Sequence, residues 1–162
     1  MLEIFNKLNS FIEDVFRDIS VREYSREIKI SPPTASSLLK KFSKDDLLIS
    51  SRKGVYLYFR ANRSHFLFKG IARLYWQSLL NKLLRDLHKE VLFKKIMLFG
   101  SIAKVENTRN SDIDLYVDLE KRNINVTELE KKLKRKIQMH FKNELANIHL
   151  KNSIEKTGIQ VK

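Results

Sequence analysis

Cysteine is absent from the 162 residues. Disulfides and thiolate zinc sites are therefore excluded, which fits a reducing compartment. No apolar run approaches the ~20 residues needed to cross a bilayer. The opening stretch MLEIFNKLNSFIEDVF is broken up by charge and does not read as a signal peptide. A cytoplasmic protein with no membrane partner is expected. The four histidines, His65, His88, His140 and His149, show no metal-ligand spacing. No Ser-His-Asp set can be argued either.

Acidic residues are the scarcer charge. There are 19 Asp and Glu against 32 Lys and Arg, a net charge of +13. Such a surplus points to a polyanionic partner: nucleic acid, nucleotide or an acidic protein. Residues 1–63 hold twelve basic and eight acidic side chains, net +4, and residues 64–162 hold twenty and eleven, net +9. Apolar residues make up 43% of the chain, enough to build a core.

Ile4, Phe5, Leu8, Phe11, Ile12, Val15, Phe16 and Ile19 keep helical spacing and predict one amphipathic helix. Ser20 followed by Glu23 is a capping-box pattern, so a second helix should run to about Ile28. Pro32 and Pro33 end it, because a residue before proline avoids helical angles. Ser31 can cap a third helix with Pro32 at its first position. LLIS and VYLYFR flank SRKG, which contains Gly54, and read as a β-hairpin. Phe68, Ile71, Tyr75, Leu79, Leu83 and Leu87 then predict a long connecting helix, which Gly70 could bend. Strands follow at Ile96–Phe99 and Ile113–Asp118, then a helix capped by Thr127 with Glu130. A strand is expected at about Lys136–Phe141, with a last one in GIQVK.

Three short helices followed by a hairpin resemble winged helix-turn-helix regulators over residues 1–63. A helix fits the major groove and a wing reaches flanking phosphates. In the third helix Leu38, Leu39 and Phe42 should face inward. Thr34, Ser36, Ser37, Lys40 and Lys41 should face outward, the small hydroxyls toward base edges. Lys40, Lys41, Arg52 and Lys53 should meet phosphate. Because +4 is modest for a DNA binder, a homodimer is expected.

The second half carries a different signal in KIMLFGSIAKVENTRNSDIDLYVDLE. Asp112 and Asp114 lie two apart on an expected strand, so both carboxylates project from one face. Adjacent carboxylates repel unless a cation sits between them, and Mg²⁺ takes oxygen ligands of this kind while leaving positions for phosphate oxygens. Gly100 and Ser101 follow a strand and open a short helix at SIAK. Backbone N–H groups there, with the Ser101 hydroxyl, can hold phosphate oxygens. These parts suit a nucleoside triphosphate, its metals and attack on the α-phosphate.

Gly-Ser, ten residues, then Asp-x-Asp resembles the minimal nucleotidyltransferases of the DNA polymerase beta superfamily over residues 90–162. The resemblance implies Mg²⁺ or Mn²⁺ as cofactor and ATP or another nucleoside triphosphate as substrate, with Ser111 beside the carboxylates. The whole layout looks like an archaeal type of fusion. It implies an α+β chain: a winged helix-turn-helix (1–63), a connecting helix (64–90) and a mixed-sheet nucleotidyltransferase domain (91–162). Related proteins are antitoxins that move AMP from ATP to a tyrosine of a HEPN-type ribonuclease toxin.

Two positions depart from that family. After Gly-Ser the pattern Ala-Arg-Gly-Glu becomes Ala103, Lys104, Val105 and Glu106, so Lys104 keeps the charge but the glycine is gone. The third carboxylate expected on the next strand falls at Gln138, within RKIQMHF. His140 shares that face and is a candidate base. An alternative reading is a DNA-binding regulator whose second domain only binds nucleotide or a partner. A third is nucleotide addition to RNA. The run EKKLKRK (Glu130–Lys136) is a solvated helix face or a contact for an anionic partner.

Overall fold

The computed structural model describes residues 2–91 and 94–161, with side chains outside 86–90. Leu87 and His88 thus have side chains outside the described residues. The chain forms two compact units: Met1–Ala72 with Val105–Arg109, and Arg73–Lys104 with Asn110–Lys162.

The first unit begins with α1 (Glu3–Glu13), which buries Phe5, Leu8, Phe11 and Ile12. This helix is shorter than its apolar spacing predicts. Asp14 is extended, and its Oδ1 accepts the N–H of Phe16 at 3.1 Å, a local bond that competes with continuing the helix. Ile19–Ser20 instead form strand β1, paired with Phe59 and Tyr58. Val15 and Ile19 are fully buried all the same. Phe16, by contrast, is exposed, so past Glu13 the spacing marks core only at Val15 and Ile19, which a turn and a strand supply.

Helix α2 (Val21–Glu27) opens on the expected capping box, with Ser20 and Glu23 each accepting the other's backbone N–H. Helix α3 (Pro32–Lys44) has Ser31 accepting the N–H of Thr34 at 3.3 Å and Pro at its start. It buries Ala35, Leu39 and Phe42, while Leu38 is half-buried. Strands β2 (Leu48–Lys53) and β3 (Tyr56–Ala61) form the hairpin, with Gly54 at φ +60° in its turn. The sheet order is β1-β3-β2. Helices, turn and hairpin in this order make a winged helix.

Residues 105–109 belong to this unit although they follow the Gly-Ser turn in sequence. Buried Asn107 donates through Nδ2 to the carbonyls of Ile12 (2.9 Å) and Glu13 (3.1 Å). Its own carbonyl accepts from the Val15 N–H at 3.1 Å. These bonds satisfy carbonyls that the end of α1 leaves without a helical partner.

Helix α4 (Phe66–Glu90) runs through Gly70. Within the second unit its Arg73, Gln77 and Asn81 side chains, four residues apart, donate to the carbonyls of Thr157, Gln160 and Val161. This ladder fixes the C-terminal strand. The unit's sheet comprises β4 (Ile96–Phe99), β5 (Ile113–Val117), β6 (Ile137–Phe141) and β7 (Ile159–Gln160), in the order β6-β5-β4-β7. Strand β4 is antiparallel to β5 and β7, and β5 is parallel to β6. Helix α5 (Gly100–Lys104) follows β4 at once. Helix α6 (Thr127–Leu133) precedes β6, and α7 (Ile148–Thr157) precedes β7. Phe99 and Tyr116 on one sheet face pack with Ile154 of α7, joined by Met97, Leu145 and Leu150.

The predicted Thr127–Glu130 capping box does not form. Asn125 Oδ1 accepts the Thr127 N–H at 3.0 Å, and Glu130 turns to the α6–β6 connection, accepting the Ile137 N–H at 3.0 Å. That bond holds the Glu130 carboxyl below its ordinary pKa, with Lys136 assisting and slight desolvation opposing.

Candidate active site

Asp114 lies opposite Phe99 on β4 and beside Gln138 on β6. Asp112 sits just before β5, and Gln138 Nε2 donates to its Oδ2 at 2.7 Å. Asp112, Asp114 and Gln138 therefore share the face that carries Phe99 and Tyr116. Helix α7 covers the Tyr116 part of that face, while the two aspartates stay half-exposed.

Gly100 explains part of the arrangement. Its φ is +72°, and a Cβ built there would lie 2.0 Å from Asp114 Oδ2. The glycine is needed both for a left-handed backbone and for room beside the carboxylate. Ser101 is half-buried at the start of α5, and Lys104 is exposed at its end. Val105 takes φ +61°. A β-branched residue thus holds a left-handed backbone that glycine would adopt more easily, a conformation costly for valine.

Burial raises the Asp114 carboxyl above its ordinary pKa; the nearby His140 works against this and the Asp112 carboxylate adds to it. His140 stands beside Tyr116 in register, and its Nδ1 is 3.0 Å from Glu144 Oε2. Its ring meets Phe99 edge-on at 5.2 Å. Ser111 precedes the carboxylates, and its carbonyl accepts from Arg135 Nη1 at 2.6 Å. Arg135 is buried, with its guanidinium 5.3 Å from the Trp76 ring centre. Arg135 was not singled out in the sequence, since one arginine within EKKLKRK carries no local mark of burial. Glu144, the partner of His140, was equally invisible.

These residues fit one hard divalent cation. Two carboxylates from one strand edge offer oxygen donors on an accessible face, and repulsion between them is what a cation relieves. Among the described residues no group of three or more His, Cys, Asp or Glu could hold a metal.

In the winged helix, Thr34, Ser37, Lys40 and Lys41 are exposed on α3, and Ser36 is half-buried. Arg52 is exposed on the hairpin. Lys53 is also exposed, but its Nζ pairs with Asp18 Oδ2 at 2.8 Å and lies 5.3 Å from the Tyr58 ring centre.

No helix among the described residues is long and apolar enough to cross a membrane. The chain is 36% identical over 88 residues to a protein of Methanocaldococcus jannaschii named "Putative protein adenylyltransferase MJ1379". The match takes in 49% of this chain and 85% of that protein. Among solved structures, a MarR family protein from Bacillus stearothermophilus matches 56% of this chain and 74% of its own, with 18% identity and a TM-score of 0.39. That likeness is too distant to add to the element order described above. Residues 81–162, about half of the chain, match the polymerase beta nucleotidyltransferase family, and the chain belongs to that family.

Proposed function

We propose that this chain transfers a nucleoside monophosphate, AMP from ATP, to a tyrosine hydroxyl of a partner protein, and that its winged helix binds DNA. The observation that carries the enzymatic reading is the shared face of Asp112 and Asp114 beside the Gly100–Ser101 turn. A divalent cation, Mg²⁺ or Mn²⁺, held by the two carboxylates would neutralise charge on the α-phosphate. Ser101, Ser111 and Lys104 would bind and orient the triphosphate. The phenol oxygen bonds to the α-phosphorus, the bond to the β-phosphate oxygen breaks, and pyrophosphate leaves. The phenol proton must go to a base. His140 Nε2 is the candidate, because Nδ1 is engaged by Glu144. A phenol, with a pKa of about 10, needs less help than an alcohol.

The acceptor class follows the name carried by the Methanocaldococcus relative. A HEPN-type ribonuclease toxin as the partner, and an antitoxin role, follow from the family resemblance. The test is transfer from α-labelled ATP in the presence of Mg²⁺ or Mn²⁺, offered with a partner protein or with RNA. Label should enter protein. Asp112→Asn with Asp114→Asn should lower transfer by at least about a thousandfold. Persistent transfer by that double variant would refute the assignment.

One observation favours a second reading, a DNA-binding regulator that holds nucleotide without turnover. Gln138 stands where a third carboxylate would accept a proton. Transfer gained only in Gln138→Asp would select that reading.

A further inference from the structure

Two carboxylates and an amide meet where β5 and β6 begin. Gln138 is in register with Asp114, and its Nε2 occupies Asp112 Oδ2 at 2.7 Å. Asp114 Oδ2 points at the backbone of Gly100. His140 is near enough to Asp114 to act on its charge, but among the described residues no third His, Cys, Asp or Glu completes a metal-holding group with the two aspartates.

We propose that Gln138 limits this site to a single divalent cation; the proposal rests on the metal-binding role given above to Asp112 and Asp114. Paired cations in two-metal sites lie about 3.5–4 Å apart. Two dications that close repel strongly, and anionic ligands that bridge or flank them must offset this. Here the protein offers two negative groups for both. A carboxylate bridging two cations shares its oxygen lone pairs between both, and one Asp112 oxygen already gives part of that capacity to the Gln138 amide. Gln138 could rotate and present its carbonyl oxygen. That would add no negative charge and would take a donor away from Asp112. One cation needs less: the free carboxylate oxygens, phosphate oxygens and water complete the six-fold oxygen shell that Mg²⁺ prefers. Gln138 thus acts in place of a second cation, as a neutral donor that holds Asp112 still.

Electron paramagnetic resonance of Mn²⁺, titrated from below one to above two equivalents per full chain saturated with a non-hydrolysable ATP analogue, reads this without turnover. The wild-type chain should show isolated Mn²⁺ and, in a titration, about one equivalent per chain. Gln138→Asp should show the broadened signal of a spin-coupled pair and about two equivalents. Gln138→Leu should stay at one, which controls for mere disturbance of β6. A coupled pair in the wild type, or a single cation in Gln138→Asp, overturns the inference. The Asp112→Asn, Asp114→Asn variant separates the two claims. Unchanged Mn²⁺ binding in that variant sinks the metal reading and this inference with it. Lost binding there, together with a pair in the wild type, sinks the inference alone.

Discussion

Gly100 and Asp114 show how one residue's absence of a side chain fixes another's position. In the sequence Gly100 opens the turn whose backbone N–H groups suit phosphate. Its local duty is to clear space for a carboxylate on the neighbouring strand, and only the register Phe99–Asp114 reveals that. Gly100→Ala sets a methyl on the Asp114 oxygen and forces an L residue to φ +72°. The backbone penalty alone is about 1 kcal/mol. We expect Gly100→Ala to remain folded by circular dichroism but to lose nucleotidyl transfer at least a hundredfold, since a displacement of about 1 Å at a reacting centre costs that much. Asp114 also carries a stability cost. Its raised pKa means that the folded chain binds the proton more tightly than the unfolded chain, so the ionised form opposes folding above the folded pKa. That cost fades as pH falls through the raised value. Asp114→Asn should therefore abolish transfer yet raise the melting temperature at pH 7.5. The gap to wild type should narrow at acidic pH, as the Asp114 carboxyl takes up its proton. Calorimetry at pH 7.5 and at acidic pH checks the sign; a variant that melts lower at pH 7.5 would contradict it.

At the scale of elements, the local signals that proved legible are those in which a side chain bonds its own backbone. The Ser20–Glu23 box, the Ser31 cap, Pro32 and the Gly54 turn all lie where sequence places them, because each acts within four residues. The misread elements answer to distant partners. Helix α1 stops at Glu13 and Ile19–Ser20 joins a sheet whose partner strand is some forty residues on. Glu130 serves the turn into β6 rather than the cap of α6. Asn107 is the extreme case. Nothing near it announces that it will end α1 from the middle of the nucleotidyltransferase signature, yet it closes two carbonyls and receives a third bond through its own. Asn107→Ala leaves the Ile12 and Glu13 carbonyls short of a donor near a buried site. That should cost about 1–3 kcal/mol, measured by urea unfolding. Asn107→Asp should not rescue it, since a carboxylate presents acceptors to acceptors. A loss below about 0.5 kcal/mol in Asn107→Ala would mean that water replaces those bonds.

On the scale of the whole chain, charge is divided unevenly between two kinds of work. The first unit's positive residues are partly spent internally: Arg17 bridges Glu23 and Glu27, and Lys53 is held by Asp18. Lys40, Lys41 and Arg52 are exposed on α3 and the hairpin, where a phosphate backbone can reach them. If the winged helix binds DNA as proposed, affinity should depend on salt with a slope set by such contacts, about 0.9 per phosphate neutralised. Lys41→Ala should weaken binding on any sequence and reduce the slope by about one, while Thr34→Ala should change which sequences are preferred and leave the slope alone. Lys40→Glu with Lys41→Glu should remove DNA binding while the rate of nucleotidyl transfer stays within about twofold of wild type, since neither lysine lies in the unit that holds Asp112 and Asp114. Fluorescence anisotropy with duplex DNA between 50 and 200 mM salt, run beside the label-transfer assay, tests the pair of statements together. Salt-independent binding, or equal loss of both activities in the double variant, would show that these lysines do not form a phosphate-contacting surface separate from the transferase.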